Sequence, residues 1–268
     1  MVILKLTKLI IKMSIIVALS GGKASAWCAD WALKNYPKED IILYFNDTKW
    51  EHKDLYRFLD DLSKYFNHKI TFDSDGRSPE ELFYDNNAIA NNRMPFCSRI
   101  LKAERLQKFY KDGDTLIFGI SREEAHRASR IINVYNLLSD KTGKTPILRF
   151  PLISEQVTNK QINIFLESAG IEEPLLYKLG FKHNNCSGGC VRAGKKHWKL
   201  LYEKLPEVYA ERERVENEMR EYTGKDIHIL KDETLESLRH KIDSKGEIRF
   251  DFEDDKETEC IGICSQFN

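Results

Sequence analysis

The chain has 268 residues, 42 basic and 42 acidic side chains, and therefore a formal net charge of zero. This length can bury a core without disulfide staples, and the balanced charge excludes a whole-molecule field that would draw the chain to nucleic acid or membrane. The apolar start is interrupted by Lys5, Lys8 and Lys12, which fits neither a signal peptide nor a spanning helix. We expect a cytoplasmic protein without a membrane partner, in which residues 1–12 are an arm or an upstream start.

Predicted strands alternate with predicted helices along the first half of the chain. Apolar β-branched runs predict strands at 14–20, 40–45, 69–72 and 114–120, and helical periodicity predicts helices at 23–36, 52–66, 98–110 and 122–138. This alternation favours an α/β fold with a doubly wound, mainly parallel sheet. Ligands of such sheets bind at the carboxyl ends of the strands.

The pattern changes after about residue 150 to helices and loops, with the clearest helices at 157–170 and 205–222. We therefore expect a nucleotide-binding sheet domain at 13–165 and a helical, cysteine-bearing C-terminal part at 166–268.

The first predicted strand runs into the turn Ser20-Gly21-Gly22-Lys23, which opens a helix. Such a turn gathers backbone N–H groups, the positive end of a helix and a lysine around one point, which suits a phosphate or pyrophosphate. The glycines let the backbone approach the anion, and Ser25 adds a second hydroxyl. The spacing is not that of the P-loop NTPases. A tight turn that needs glycine only for its conformation is the alternative.

Charged residues also follow the second and fourth predicted strands. Asp47 and Glu51 are candidates to supply carboxylates to a nucleotide-bound metal, or they simply begin the next helix. Arg127 is placed to pair with a phosphate or sulfate while Glu124 orients it. The alternative for this second pair is an ordinary helix start with arginines on a solvated face.

The six cysteines divide by context. Cys28 lies among apolar residues of the first helix and is predicted to be a core residue. The others form two Cys-x-x-x-Cys pairs and a fifth thiol, enough to hold a zinc ion or an iron–sulfur cluster, although free thiols are an alternative. The candidate metal ligands are Cys97, Cys186, Cys190, Cys260 and Cys264.

Charge is unevenly distributed near the C-terminus. The stretch 178–204 is strongly basic and predicts a local anion site, for a sulfonucleotide or for the backbone of tRNA or DNA. An acidic run at 251–259 either folds back over the basic stretch and joins the two cysteine pairs, or is a solvated tail.

Several stretches, in order, resemble one protein family. SGGKAS resembles the SGGxDS pyrophosphate loop of the ATP-pyrophosphatase (adenine nucleotide α-hydrolase-like) superfamily, and particularly its phosphoadenosine phosphosulfate (PAPS) reductase-like branch. The segments that are similar to this branch's D-T-G-x-E, Cys-x-x-x-x-Lys, G-I-x-x-D/E-E-x-x-R and N-C-x-G-G-C motifs are FNDTKWEHKDLYRFL (45–59), FCSRILKAERLQKF (96–109), FGISREEAHRASRI (118–131) and LYKLGFKHNNCSGGCVRAGKKHW (176–198).

The resemblance has two departures. Ala24 stands where the loop often has aspartate, and Lys49 stands where the second motif usually has glycine. Backbone N–H groups, Lys23 and two hydroxyls are enough for phosphate binding. A carboxylate that would hold the nucleotide's metal is missing from the loop, and Asp47 or Glu51 would have to replace it.

The resemblance implies an enzyme that binds ATP, or a sulfonucleotide, with Mg²⁺. It would adenylate a substrate, release pyrophosphate and couple this step to sulfur transfer or nucleic-acid modification, with Lys23 and Arg127 as catalytic residues. Relatives also imply a [4Fe–4S] cluster, with Zn²⁺ as the alternative. Because Ser98 occupies the second position of the family's Cys-Cys pair, one ligand would come from Cys260 or Cys264.

The tail segment ETECIGIC at 257–264 is similar to the Glu-Cys-Gly-Leu/Ile-His stretch of PAPS and adenylylsulfate reductases. It implies a second function, a sulfonucleotide reductase in which Cys260 is a thiol nucleophile. A third hypothesis, motivated by Ala24, is a non-catalytic nucleotide-sensing module. The sequence indicates no oligomeric state.

Overall fold

A computed structural model describes residues 13–244 and contains one five-stranded parallel sheet. The strands are β1 (Ile15–Leu19), β2 (Ile41–Asn46), β3 (Ile70–Asp73), β4 (Thr115–Phe118) and β5 (Ile147–Arg149). Their order is β3-β2-β1-β4-β5, and every neighbouring pair is parallel. The predicted parallel α/β sheet is confirmed, and its first four strands overlap the predicted ones.

Helices surround this sheet and form the C-terminal part. They are α1 (Lys23–Asn35), α2 (Lys53–Phe66), α3 (Pro79–Asn86), α4 (Phe96–Ser98), α5 (Glu104–Phe109), α6 (Ala125–Thr142), α7 (Pro151–Ser154), α8 (Asn159–Ser168), α9 (Leu175–Lys178), α10 (Lys195–Lys204), α11 (Pro206–Thr223) and α12 (Leu235–Asp243). A π-helical turn, Arg99–Ala103, joins α4 to α5. Between residues 13 and 244, no helix is both long and apolar enough to cross a bilayer.

The central strand explains why helices cover both faces of the sheet. Successive side chains of a strand point to opposite faces. Val17 and Leu19 therefore pack into the core formed with α1, α2 and α8, whereas Ile16 packs into the core formed with α5 and α6. Helices on both faces are the doubly wound arrangement that the sequence predicts.

The strand order places a crevice at the carboxyl end of β1. The strands β2 and β3 follow on one side of β1, whereas β4 and β5 follow on its other side. In doubly wound sheets, ligands bind in the crevice at the point where the strand order reverses in this way. Gly119 follows β4, and a Cβ at this position would lie 2.7 Å from the backbone nitrogen of Ser25. A glycine is therefore required for β4 and the first turn of α1 to approach each other.

The C-terminal helices have their own core around the fully buried Trp198. The predicted boundary at residue 165 falls inside α8, and Phe165 and Leu166 of this helix pack in the core of the sheet. Beyond α8, the first buried residue that belongs to the C-terminal core is Leu176. Trp50, which follows β2, also joins the C-terminal core. The segment after β2 thus connects the two parts.

A buried carboxylate organises the last helices. Glu216 on α11 is fully buried and accepts hydrogen bonds from the backbone N–H groups of Ile229 at 2.7 Å and Leu235 at 2.6 Å. Burial nevertheless raises the pKa of Glu216 to about 7. The start of α12 is therefore held to α11 by a group that titrates near neutral pH.

Candidate functional site

The loop between β1 and α1 has a shape that glycine makes possible. Gly21 has a φ of +75°, a left-handed conformation that side chains with a Cβ disfavour. A Cβ at Gly21 would also lie 2.6 Å from a methyl carbon of Leu55. The side-chain amide of Asn184 donates to the Gly21 carbonyl oxygen at 2.8 Å and is buried with it. The cysteine-bearing segment therefore helps to fix the loop.

Two serine hydroxyls tighten the same loop. Ser25 Oγ donates to the carbonyl oxygen of Gly22 at 2.9 Å and accepts from the backbone N–H of Ser20 at 3.1 Å. The two hydroxyl oxygens are 3.2 Å apart. Among residues 13–244, no side chain caps the N-terminus of α1, so its backbone N–H groups keep the capacity to bind an anion.

A cavity of about 680 Å³, here called the main cavity, opens beside this loop. It is bounded by the carboxyl ends of three strands, with Leu19 from β1, Asn46 from β2 and Phe118 from β4 among its lining residues. The loop residues 22–25 form one wall. A volume of this size and a position at the strand reversal are typical of small-ligand sites.

The lining of the main cavity is more basic than the chain as a whole. Its Lys, Arg, Asp and Glu side chains are four cations and two carboxylates, although the whole chain has no formal net charge. These groups are Lys23, Lys102, Arg127 and Lys182 against Glu123 and Glu124. The described lining therefore carries a local excess of positive charge, to which the basic stretch 178–204 contributes Lys182.

Lys23 is held in place by three neighbours. Its Nζ donates to Glu173 Oε2 at 2.9 Å and to Asn163 Oδ1 at 3.0 Å, and it lies 4.6 Å from the centroid of the Tyr177 ring. A Cβ at Gly22 would lie 2.8 Å from the Tyr177 hydroxyl oxygen, so this hydroxyl lies directly against the loop. An anion in the cavity would compete with Glu173 for the Lys23 ammonium group.

Burial raises the pKa of Tyr177 to about 12. The hydroxyl beside the loop therefore keeps its proton at neutral pH and remains a possible hydrogen-bond donor to a phosphate oxygen.

Arg127 and Glu124 form the ion pair that the sequence predicts at the carboxyl end of β4. Arg127 Nη1 donates to Glu124 Oε1, and the two side chains are only 11% and 20% exposed. Both residues line the main cavity. Glu124 therefore orients the guanidinium group, and the proposed contact with phosphate stays a prediction.

The two acidic residues after β2 lie elsewhere. Asp47 Oδ1 accepts from the Tyr56 hydroxyl and from the Lys49 backbone N–H, each at 2.8 Å. The Glu51 side chain is 1% exposed and accepts from the backbone N–H of Cys186 at 2.6 Å. Within residues 13–244, neither belongs to the lining of the main cavity. Their predicted contact with a nucleotide-bound metal remains untested.

Three of the candidate metal ligands lie around one small pocket. This cysteine pocket is lined by Cys97, Cys186, Cys190 and Trp50 among others, and Lys102 lines both it and the main cavity. The π-helical turn between α4 and α5 carries Lys102, and such turns often occur at functional sites. Among the described residues, Lys102 is therefore the side chain common to the cysteine pocket and the main cavity. Cys260 and Cys264 lie outside the described residues.

The described side chains around the cysteine pocket include three thiols, those of Cys97, Cys186 and Cys190. Thiolates are the preferred ligands of iron–sulfur clusters and of structural zinc. Within residues 13–244, no group of three or more His, Cys, Asp or Glu side chains is arranged to hold a metal ion. The buried Arg212 Nε, which has no hydrogen-bond partner among these residues, favours added negative charge nearby. A cysteine-ligated centre here would need a ligand from beyond residue 244.

Cys28 is a core residue, as predicted. It is fully buried in the core of the sheet, and burial raises its pKa far above the ordinary thiol range. Such a thiol is inert at neutral pH.

Part of the charge of the basic stretch at 178–204 is paired within the fold. The ion pairs of this stretch with acidic residues include Lys178–Glu172, Lys195–Glu233 and Lys199–Glu203. Its Lys182 reaches the main cavity. The predicted binding of tRNA or DNA is not tested by these contacts, and the acidic run at 251–259 lies outside the described residues.

Sequence reasoning missed several residues of the site. Asn163, Glu173 and Tyr177 surround Lys23. No local pattern predicts these contacts, because Asn163 reaches the loop from α8, Glu173 from the segment between α8 and α9, and Tyr177 from α9. Lys102 has a sequence signal, its spacing from Cys97, but its position between two pockets follows only from the fold.

Comparison with known families and solved structures finds proteins that are similar to this chain. The family model of the phosphoadenosine phosphosulfate reductase domain matches residues 14–193. No curated protein matches the chain. Among solved structures, the phosphate complex of phosphoadenylyl-sulfate (PAPS) reductase from Candida auris is 14% identical, with a TM-score of 0.44, and the match covers 65% of this chain and 80% of that one. The family match spans about two thirds of the chain, including the loop between β1 and α1 and all three cysteines of the cysteine pocket. The chain therefore belongs to the phosphoadenosine phosphosulfate reductase domain family.

Proposed function

We propose that the protein binds ATP in the main cavity and adenylates a substrate with release of pyrophosphate. The adenylation would be coupled to sulfur transfer or to modification of a nucleic acid. The observation that carries the proposal is the segment at residues 22–25, where the N-terminus of α1, which no side chain among residues 13–244 caps, and Lys23 face a cavity with a basic lining. This arrangement suits a chain of phosphates.

The proposed chemistry assigns a part to each charged group. An oxygen of the acceptor forms a bond to the α-phosphorus of ATP, while the bond from that phosphorus to the bridging oxygen of the leaving pyrophosphate breaks. Lys23 and the N–H groups of α1 hold the pyrophosphate and stabilise its growing negative charge. Arg127, oriented by Glu124, pairs with the phosphoryl group that is transferred.

Mg²⁺ bound with the nucleotide would neutralise the phosphates further. The carboxylates in the described cavity lining that would hold it are Glu123 and Glu124. Ala24, also in the lining, supplies no oxygen where the family's loop often has aspartate.

The resemblance of the segment at 257–264 to the tail of the family's reductases supports a second candidate, a sulfonucleotide reductase. In that reaction the Cys260 thiolate attacks the sulfate sulfur, the bond from sulfur to the phosphate oxygen breaks, and the nucleotide leaves. A second thiol then attacks the resulting thiosulfonate, which releases sulfite and forms a disulfide. Lys102, which lines both pockets, would lie between the two halves of such a substrate.

One assay separates these candidates. The full chain, purified without oxygen, is incubated with Mg²⁺ and ATP, with and without total tRNA, or with a sulfonucleotide and a dithiol. Pyrophosphate from ATP supports adenylation, whereas sulfite without pyrophosphate supports the reductase. Nucleotide binding without either product supports the third hypothesis, a nucleotide-sensing module.

Two lysine variants on α1 provide the control. Lys23→Met removes the ammonium group beside the loop and should lower the rate of product formation by about 10²-fold. Lys34→Met removes an exposed lysine of the same helix, paired with Asp30 at 2.6 Å, and should leave the rate unchanged. Equal rates for both variants would remove Lys23 from the proposed mechanism.

A further inference from the structure

One wall of the main cavity is apolar. Its residues also pack in, or against, the core that the sheet forms with α5 and α6, and they are Ala18, Ala103, Leu106, Phe118 and Ile120. Such a wall suits the flat base of a nucleotide, as the segment at residues 22–25 suits its phosphates. A pocket of this kind needs a few polar groups to fix the orientation of its ligand.

Asn46, the last residue of β2, is a polar group at this wall and lines the main cavity. It follows Tyr44 by two positions, so the two side chains leave the strand on the same face, and Tyr44 packs in the same core as the apolar wall. Asn46 Nδ2 donates to the Tyr44 hydroxyl oxygen at 3.1 Å. Among residues 13–244, no hydrogen bond engages Asn46 Oδ1. This oxygen is therefore left for a ligand.

Tyr44 belongs to a chain of hydrogen bonds that ends at an ion pair. Tyr44 is 1% exposed, and its hydroxyl donates to Asp73 Oδ2 at 2.5 Å. Arg105 donates to both oxygens of the same carboxylate, from Nε to Oδ2 at 2.9 Å and from Nη2 to Oδ1. Burial alone would raise the pKa of Asp73, but the hydrogen bonds from Arg105 and Tyr44 hold it below its ordinary value. Asp73 is therefore ionised at neutral pH and can only accept hydrogen bonds.

The protons available along this chain fix the amide of Asn46. Tyr44 has one hydroxyl proton, and it is donated to Asp73. Burial and the hydrogen bond to Asp73 raise the pKa of Tyr44, so this proton stays in place at neutral pH. The Tyr44 oxygen can therefore only accept from Asn46. A rotation of the amide by half a turn would place Oδ1 against the Tyr44 oxygen with no proton between them.

We propose that Asn46 is a specificity-determining residue that contacts the edge of the base and selects a 6-aminopurine over a 6-oxopurine. Tyr44, Asp73 and Arg105 act as positioning residues that fix its amide. The inference rests on the proposed binding of a nucleotide in the main cavity. ATP and the sulfonucleotides both carry adenine, so the inference applies to either candidate reaction.

The fixed amide turns an acceptor, Oδ1, toward the ligand. Adenine presents a matching donor, its N6 amino group, and asparagine is a common partner of adenine in nucleic-acid recognition. In hypoxanthine and guanine, an acceptor oxygen replaces this amino group. That oxygen would face Asn46 Oδ1, and the amide is not free to turn its NH₂ group toward it. A 6-oxopurine therefore leaves two acceptors opposed.

The first test needs no variant. Titration calorimetry with Mg²⁺ measures the dissociation constants of the full chain for ATP and for inosine triphosphate, in which a 6-oxo group replaces the 6-amino group. AMP and IMP repeat the comparison without the pyrophosphate. The adenine nucleotide of each pair should bind about 10- to 100-fold more tightly. Equal constants within each pair would overturn the inference.

Asn46→Leu removes the amide at nearly constant volume. It should weaken the binding of ATP by about tenfold or more and leave that of inosine triphosphate within about twofold, so that the preference for adenine is lost. A variant that keeps the preference of the wild type would show that another group contacts this edge of the base, and would overturn the role of Asn46.

Tyr44→Phe frees the amide and separates positioning from a purely structural role. With two amide orientations accessible, the affinity for ATP should fall by about twofold. The affinity for inosine triphosphate should rise by about fivefold or more, because the NH₂ group can then turn toward the 6-oxo group. An equal loss of affinity for both nucleotides would make Tyr44 a structural residue and would overturn its positioning role.

Tyr135→Phe is the matched control. Tyr135 packs in the same core as Tyr44, is 2% exposed, and its hydroxyl has no hydrogen-bond partner among residues 13–244. Both dissociation constants should stay unchanged. A loss of preference equal to that of Tyr44→Phe would show that any hydroxyl of this core has the same effect, and would contradict the specific role of Tyr44. If Tyr44→Phe does not fold, the wild-type preference and Asn46→Leu decide.

The inference and the proposed function fail separately. Release of pyrophosphate from ATP, together with equal affinities for the two triphosphates, would overturn the inference and leave the adenylation intact. A preference for AMP over IMP that is lost in Asn46→Leu, without release of pyrophosphate from ATP, would support the inference and overturn the adenylation.

Discussion

Glu51 accepts a hydrogen bond at 2.6 Å from the backbone N–H of Cys186, a residue 135 positions further along the chain. The same carboxylate accepts from Thr48 Oγ1 at 2.9 Å and has Lys102 Nζ at 3.5 Å. Cys186 has a φ of +51°, an unusual conformation for a residue other than glycine. Glu51 therefore connects the segment after β2 to the turn that carries the cysteines and helps to hold that turn in a strained conformation.

Replacing Glu51 with glutamine should destabilise the protein by about 1–3 kcal/mol. The amide NH₂ group would replace one of two carboxylate oxygens that both accept hydrogen bonds. The cysteine turn should also loosen, so Cys186 should react faster with a thiol reagent. Urea unfolding and thiol labelling measure the two effects. The exposed Glu39 is the control, and similar losses in Glu51→Gln and Glu39→Gln would contradict the interpretation.

Lys49→Gly should stabilise the protein by about 0.5–1 kcal/mol. Lys49 has a φ of +61°, and it stands where the family's motif usually has glycine. Its Nζ donates to the Gly76 carbonyl oxygen on the surface, a contact that contributes little in water. Lys49→Ala is the matched control because alanine loses the same contact but keeps a Cβ. An equal unfolding midpoint for the two variants would show that the backbone conformation carries no strain.

The main elements of the sheet can be predicted because their signals are local. The alternation of Ile16 with Val17 and Leu19, and the glycines that follow, are visible in a short window of sequence. β5 (Ile147–Arg149) is not predicted from such a window, because it has only three residues and its two end residues are exposed, so it shows no run of buried apolar side chains. Periodicity predicts a helix across 98–110 but cannot reveal the π-helical turn within it.

The site is less predictable because its contacts are long-range. The sequence indicates that Lys23 and Glu51 follow strand ends, but not which way their side chains point. Lys23 is held by Glu173, 150 positions away, and Glu51 turns toward the cysteine turn. No local pattern encodes either contact, because each depends on how the segment after α8 packs against the sheet.

The stability of the protein should fall as the pH rises from about 4.5 to about 7 through the titration of Glu216. Burial raises its pKa from 4.5 to about 7 in the folded state, so the folded protein binds this proton more tightly than the unfolded chain. The resulting stabilisation is complete below the unfolded pKa and is lost as the pH passes the folded pKa. It amounts to at most about 3 kcal/mol.

Urea unfolding at several pH values tests this assignment against Glu216→Gln, which resembles the protonated acid at every pH. The difference in unfolding free energy between wild type and variant should change across this pH range. The other carboxylates contribute equally to the unfolding free energy of both proteins, so their contributions cancel in the difference. A constant difference from pH 4.5 to pH 8 would mean that Glu216 keeps an ordinary pKa and that its two backbone hydrogen bonds offset its burial.

Removing the carboxylate that pairs with Lys23 should strengthen the binding of inorganic pyrophosphate to the main cavity. Glu173 Oε2 lies 2.9 Å from Lys23 Nζ, and its side chain is 37% exposed. A partly exposed ion pair of this kind contributes up to about 1 kcal/mol, so Glu173→Gln should lower the dissociation constant by no more than about fivefold. Titration calorimetry measures this constant directly.

Glu172→Gln is the matched control because it removes the neighbouring carboxylate, which pairs with Lys178 outside the cavity lining. Since both variants change the net charge by the same amount, equal gains in affinity would reflect the overall field. A gain in Glu173→Gln alone would mean that Lys23 exchanges its carboxylate partner for the anion.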